Sequence, residues 1–170
     1  MKKFWLLATA LVFAIGLTAC SGGEKGEKAS EGTKEESKAS GDNVKKSLYK
    51  LSMEISKTIN DADADLNAFE NAAPEEQTPD MKTKAAESAA AVSSALDKLE
   101  VPADLKDQKA DLEAAIDEFS ASYKAKAEEL KKDAPSLDAA NETFLKGEEK
   151  LGKVFESAKM NKPLLSKEVG

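Results

Sequence analysis

Histidine and arginine are absent from this 170-residue chain, and cysteine occurs once, at position 20. Without histidine there is no imidazole general base and no Ser-His-Asp triad. The histidine-ligated haem and di-iron centres that four-helix bundles often hold are excluded as well. One thiol allows neither an internal disulfide nor a Cys/His zinc site, so a folded domain here must be stabilised by packing. All basic residues are lysines, and the formal charge is −7. An acidic balance without bidentate guanidinium groups argues against a nucleic-acid partner. β-Branched residues are few and never alternate for long, which excludes strands as the main element.

The N-terminus is what the chain does have. Lys2 and Lys3 precede an uncharged, mostly apolar run over residues 4–19. That layout predicts a signal peptide over 1–19, and the run is short for a membrane-spanning helix. It ends in Leu17-Thr18-Ala19-Cys20, which resembles the lipobox of bacterial lipoproteins. The resemblance implies that the Cys20 thiol receives a diacylglycerol and that cleavage occurs just before Cys20. The mature protein is then held at the extracytoplasmic face of the cell membrane. Two acyl chains suffice for stable anchoring, at about 0.8 kcal/mol per buried CH2. Lipidation also accounts for a lone thiol in an exported chain.

Residues 21–42 contain no Val, Ile, Leu, Met or aromatic side chain. Glu and Lys alternate among Gly, Ser and Ala, a composition unable to bury enough surface to offset chain entropy. With Cys20 this predicts a disordered tether over 20–42, spanning roughly 25 Å as a flexible coil.

From residue 43 apolar positions recur every three or four residues, the helical period. The first stripe is Val44, Leu48, Leu51, Ile55, Ile59, Ala62, Leu66, Phe69 and Ala73, ended by Pro74. Thr78-Pro79-Asp80 opens a second, alanine-rich helix with Met81, Ala85, Ala89, Val92, Leu96 and Leu99. A third carries Leu105, Leu112, Ile116, Phe119, Tyr123, Ala127 and Leu130, and runs to about Asp133 because Pro135 follows. Ser136 is the expected cap of a fourth, with Leu137, Ala140, Phe144, Leu151, Val154, Phe155 and Ala158. The pattern predicts an all-α, up-down-up-down four-helix bundle over 43–162 and a C-terminal tail over 163–170. The alternative is a three-helix bundle with the second helix free. Leu164 and Leu165 are expected to fold the tail back. Gly147 and Gly152 lie inside the fourth helix and read as points of close packing, or as a kink beside a pocket.

Chemistry-bearing constellations are scarce. Asp61, Asp63 and Asp65 form the densest acidic run, but on a helix residues two apart do not converge. The run lacks the Gly and Glu of a Ca2+-binding EF-hand loop, so it reads as a solvated face. Glu128-Glu129 and Glu148-Glu149 read as exposed helix charges. Ser88, Ser93 or Ser94 beside Lys84 or Lys98 form no recognised Ser-Lys motif and read as exposed serines. No catalytic, cofactor or metal residue is expected, and Cys20 is the one predicted modification site. Tyr49 and Met53 lie off the first apolar stripe and mark a patch or pocket edge. Tyr123 needs a partner for its hydroxyl. The expected function is a non-enzymatic interaction module with an envelope-protein partner. The alternative is a small-ligand binder with a cavity between the second helix and Gly147.

Overall fold

A computed structural model describes the chain from Gly32 to Gly170, with side chains from Gly41. The signal-peptide run, Cys20 and the tether up to residue 31 lie outside the described residues. Five α-helices follow in order: α1 Gly32–Asn60, α2 Ala64–Asn71, α3 Pro79–Leu96, α4 Lys109–Glu129 and α5 Asp138–Ser157. Single 3-10 turns occupy Ala103–Leu105 and Leu165–Lys167. No strand occurs among the described residues.

Two boundaries differ from the sequence expectation at α1. It begins at Gly32, inside the expected tether, not near Asn43. Residues 34–38 are Lys, Glu and Ser, and Lys and Glu extend an existing helix readily once a nucleus exists. The single helix expected up to Ala73 also divides, at Asp61–Asp63. There Ala62 N–H and Asp63 N–H both donate to the Ile59 carbonyl, at 3.0 Å each, which tightens the chain out of α-helical register. Ser88 of α3 fixes the break. Its hydroxyl donates to the Ala62 carbonyl at 2.6 Å and accepts from Leu66 N–H at 3.4 Å. The apolar period nevertheless continues across the break, so Leu66 and Phe69 of α2 are buried like Leu48, Leu51, Ile55 and Ile59 of α1.

The remaining helices begin and end for local reasons. Thr78 caps α3 by accepting from Met81 N–H at 3.2 Å, with Pro79 in the first turn. The Gln77 amide donates to the Phe69 and Ala72 carbonyls at the end of α2. The third helix starts later than expected. Leu105 sits in a 3-10 turn, yet is fully buried. Ser136 does not cap α5: the cap position is Leu137, and the Ser136 hydroxyl instead bonds the Asp138 carboxylate at 3.2 Å. At its C-terminus α5 closes with Met160 N–H on the Phe155 carbonyl and Lys159 N–H on that of Glu156, both at 2.9 Å. This is the Schellman arrangement, and it places Lys159 at φ 57°, where glycine is usual.

One hydrophobic core runs through all five helices and the C-terminal turn. Residues 32–170 form a compact unit of their own. α3 contacts α1, α2 and α4, and α5 lies along α4. A free second helix is therefore ruled out: Ala85, Ala89, Val92 and Leu96 of α3 are wholly buried. Small side chains bring α3 near α4, where the hydroxyls of Ser93 and Ser120 meet at 3.0 Å. α4 and α5 approach through Gly147 and the Phe119–Phe144 ring pair, with centroids 4.8 Å apart. Leu165 packs the tail back onto the core, whereas Leu164 stays exposed.

The two glycines of α5 separate by what surrounds them. A Cβ at Gly147 would lie 2.8 Å from Phe119 Cε1 and 3.0 Å from the Ala115 carbonyl oxygen, neither free to move. Gly147→Ala should therefore lower unfolding stability by about 1 kcal/mol even after its gain in helix propensity. A Cβ at Gly152 meets only the flexible Lys162 side chain, so Gly152→Ala should be neutral or stabilising. Urea denaturation of the two variants beside the parent checks both signs.

Candidate functional site

Two concavities stand out on the described surface. The larger is a groove of about 1020 Å³ between α1 and the C-terminal end of α5 with the tail. α1 supplies Tyr49, Ser52, Met53, Ser56, Lys57 and Asn60, a 3–4 spacing that sets them on one helical face beside the core stripe. The facing wall is Phe155, Lys159, Met160, Asn161, Pro163 and Glu168. Tyr49 is 58 % and Met53 55 % exposed, so the off-stripe position of both residues does mark a pocket edge. Asn60 donates to the Glu168 carbonyl at 3.1 Å, which ties the tail to the end of α1. Lys57 is paired with Asp61 one turn on. Lys159 makes no ion pair among the described residues, and its left-handed backbone stores roughly 1 kcal/mol of strain.

The smaller pocket, about 250 Å³, is built around Lys126 of α4. The Lys126 side chain is buried, its ammonium 2.7 Å from Glu70 Oε1 of α2 and 5.4 Å from the centre of the Tyr123 ring. Asn67, Asn141 and Ser166 add polar groups, and Phe144, Leu145 and Val169 an apolar wall. The Glu148 carboxylate accepts from Ser166 N–H at 2.8 Å and from its hydroxyl at 3.1 Å, anchoring the tail beside this pocket. Burial pushes the Tyr123 hydroxyl well above its ordinary range, and the Asp63 and Glu70 carboxylates push the same way. That hydroxyl has no hydrogen bond among the described residues, contrary to the expected partner.

The acidic run also departs from expectation. Asp61 and Asp65 are exposed, but Asp63, between α1 and α2, is only 2 % exposed. Its Oδ2 has no hydrogen-bond partner among the described residues. Burial raises its pKa, and hydrogen bonding from Asn67 and its own backbone N–H, with the positive charge of Lys126, only partly offsets this. Among the described residues no three Asp, Glu, Cys or His side chains gather as a metal site. Ser88 and Ser93 are buried, not exposed, and both are used in contacts between helices, while Lys84 pairs with Asp80 at 2.9 Å. No Ser-Lys pair forms. Glu128 and Glu129 pair with Lys131 and Lys132 on the surface. The cavity expected between the second helix and Gly147 is not there: Gly147 faces Phe119 of α4, and the space is filled. Sequence reasoning missed Lys126 and Asp63, whose neighbours come from elements far apart in the chain. Among the described residues no helix is long and apolar enough to cross a membrane.

No family model, curated protein or solved structure matches this chain.

The buried carboxyl has a signed consequence. Because the folded-state pKa of Asp63 is raised, its contribution to stability is fully present below the unfolded value of about 3.9 and is lost as pH rises through the folded value. Asp63→Asn keeps the shape and removes the buried charge. It should stabilise the domain at pH 7 by on the order of 1 kcal/mol, and the gain should vanish toward pH 3. Thermal melts of both proteins across that range measure the difference; a variant less stable at pH 7 would show that the hydrogen bonds from Asn67 and the backbone, with the Lys126 charge, outweigh burial of the ionised carboxylate.

Proposed function

We propose that the chain is a non-catalytic binding module, held at the extracytoplasmic face of the cell membrane by a diacylglycerol on Cys20. The binding surface in this reading is the groove between α1 and the end of α5. One observation carries it: the groove is concave, of about 1020 Å³, and its floor and rim hold Tyr49, Met53, Phe155, Met160 and Pro163. Its volume lies at the upper end of the range for small-molecule sites, about 300–1,000 Å³. That favours the small-ligand alternative over a flat protein contact. Methionines on two walls suit a surface that adapts to its occupant. Tethering raises the local concentration of any membrane-associated ligand, so modest intrinsic affinity suffices. The finer architecture proposed with this reading is an up-down bundle in which α1 and α2 together count as the first of four helical rods.

An envelope-protein helix is the second reading, favoured by the exposure of Tyr49 and Met53 at the rim, where a helix could rest. A photocrosslinking residue at position 53, in cells expressing the lipidated chain, discriminates the two. Recovery of one small adduct mass supports the ligand, and recovery of one protein band supports the helix. Labelling of bulk protein without preference would sink the binding-groove reading. The anchor is tested separately: Cys20→Ser should abolish incorporation of a lipid label and move the protein out of the membrane fraction. Normal acylation of that variant would refute the Cys20 assignment.

A further inference from the structure

The charge of this protein is segregated. Residues 43–60, which supply one wall of the groove, carry four lysines and one glutamate, a net of +3. Residues 155–170, which supply the other wall, carry three lysines and two glutamates, a net of +1. The 94 residues between them, 61–154, hold twelve lysines against 23 acids, a net of −11. The two basic stretches of an otherwise acidic domain therefore flank the groove of about 1020 Å³. Lys45 and Lys46 lie four and three residues before Tyr49, so the groove stripe of α1 continues into lysines.

The apolar exposure is segregated too. Among the described residues four large hydrophobic side chains are exposed: Tyr49, Met53, Leu145 and Leu164. The first two line the groove, and Leu164 directly follows Pro163, which also lines it. Lys159 supplies an independent observation. It occupies the left-handed position of the α5 terminus at φ 57°, where glycine would sit unstrained, and its side chain lines the groove. Strained non-glycine residues of this kind concentrate where a side chain is needed for binding. Glu168 is the single acid of the lining, against Lys57 and Lys159, and Lys57 already has Asp61. Among the described residues Lys159 is thus the ammonium in the lining that makes no ion pair with a carboxylate.

We infer that the groove binds a single-chain anionic amphiphile, with its apolar chain against Tyr49, Met53, Phe155 and Met160 and its carboxylate on Lys159. The concavity takes one discrete molecule and does not match the flat face of a bilayer. The apolar lining accommodates a chain, and the basic walls select the sign of the head group. This rests on the reading of the groove as a binding site, and it adds the chemistry of the occupant.

The test uses a chain spanning residues 21–170, which includes the whole compact unit, with dodecanoate as probe below its micellar concentration. Isothermal titration should show one saturable site for dodecanoate and binding at least tenfold weaker for dodecyltrimethylammonium, which has the same tail and the opposite head. Lys159→Gly should weaken dodecanoate about tenfold and raise the melting temperature by a few degrees, since the strain is relieved while the charge is lost. Met53→Asp, on a residue more exposed than buried, should abolish binding and leave the melt unchanged. Equal binding of both head groups, or dodecanoate affinity indifferent to Lys159→Gly, would overturn the assignment. If no dodecanoate binds but a photocrosslinker at position 53 recovers one protein, the groove is a binding site and its occupant is a protein. If neither is observed, the binding-groove reading fails as well.

Discussion

The turn at Asp61–Asp63 is the constraint on which both concavities depend. A stripe of residues at helical spacing runs beside the core stripe: Tyr49, Met53, Ser56, Asn60, then Asp63, Asn67 and Glu70. Up to Asn60 these positions face the groove. Past the turn Asn67 and Glu70 face the Lys126 pocket instead. In one uninterrupted helix they would extend a single face. Ser88 holds the turn by bonding one group on each side of it, so a hydroxyl on α3 governs where α2 delivers Glu70. The tail completes the division. Glu168 lines the groove while Ser166 and Val169 line the Lys126 pocket, and buried Leu165 lies in the same turn.

Packing is uneven around this frame. α3, α4 and α5 meet through alanines, serines and Gly147, the residues that allow backbones to approach. At Gly147 the small-residue surface of α5 is filled by Phe119. Open space appears where α1 faces the end of α5, whose lining side chains are long, flexible or half exposed. The same asymmetry is visible in charge: lysines collect on α1 and on the tail, acids outnumber them on α2, α4 and α5, and α3 is balanced. Close packing and acidic charge are thus concentrated away from the groove.

Much of this was legible in the sequence. The 3–4 spacing placed nearly every core residue, the Thr78-Pro79 start is as expected, and Tyr49 and Met53 stood out because they lie off the apolar stripe. The close approach at Gly147 was one of the two readings considered. What failed did so for physical reasons. The break at Asp61–Asp63 was invisible to periodicity because the apolar phase continues from Ile59 to Leu66 and Phe69. Asp63 was read as part of a solvated face because charged residues usually are exposed, and Lys126 gave no signal for the same reason. The burial of Lys126 depends on Glu70 of another element, and that of Asp63 on the turn between α1 and α2, which leaves one of its oxygens without a hydrogen bond among the described residues. Ser88 and Ser93 were misjudged for the same reason, since a hydroxyl on an alanine-rich face is silent until its acceptor across the interface is known. The cavity was sought at Gly147, although a glycine inside a helix signals a near neighbour as readily as an empty space.

The choice between the two concavities follows from what each cation already has. In the smaller pocket the Lys126 ammonium is satisfied: Glu70 lies at 2.7 Å and the Tyr123 ring beneath it. A ligand there must displace a buried ion pair, and removing one partner of such a pair leaves the other charge uncompensated. The pocket's polar groups therefore act as a fastening between α2 and α4, and Lys126 belongs to the fold. In the groove the situation is reversed. Lys159 makes no ion pair among the described residues, its backbone is strained in a way glycine would relieve, and Tyr49 and Met53 at the rim are already solvated. Binding there replaces water instead of dismantling an internal contact. Of the two sites, only the groove can gain a ligand without losing an ion pair that joins its walls.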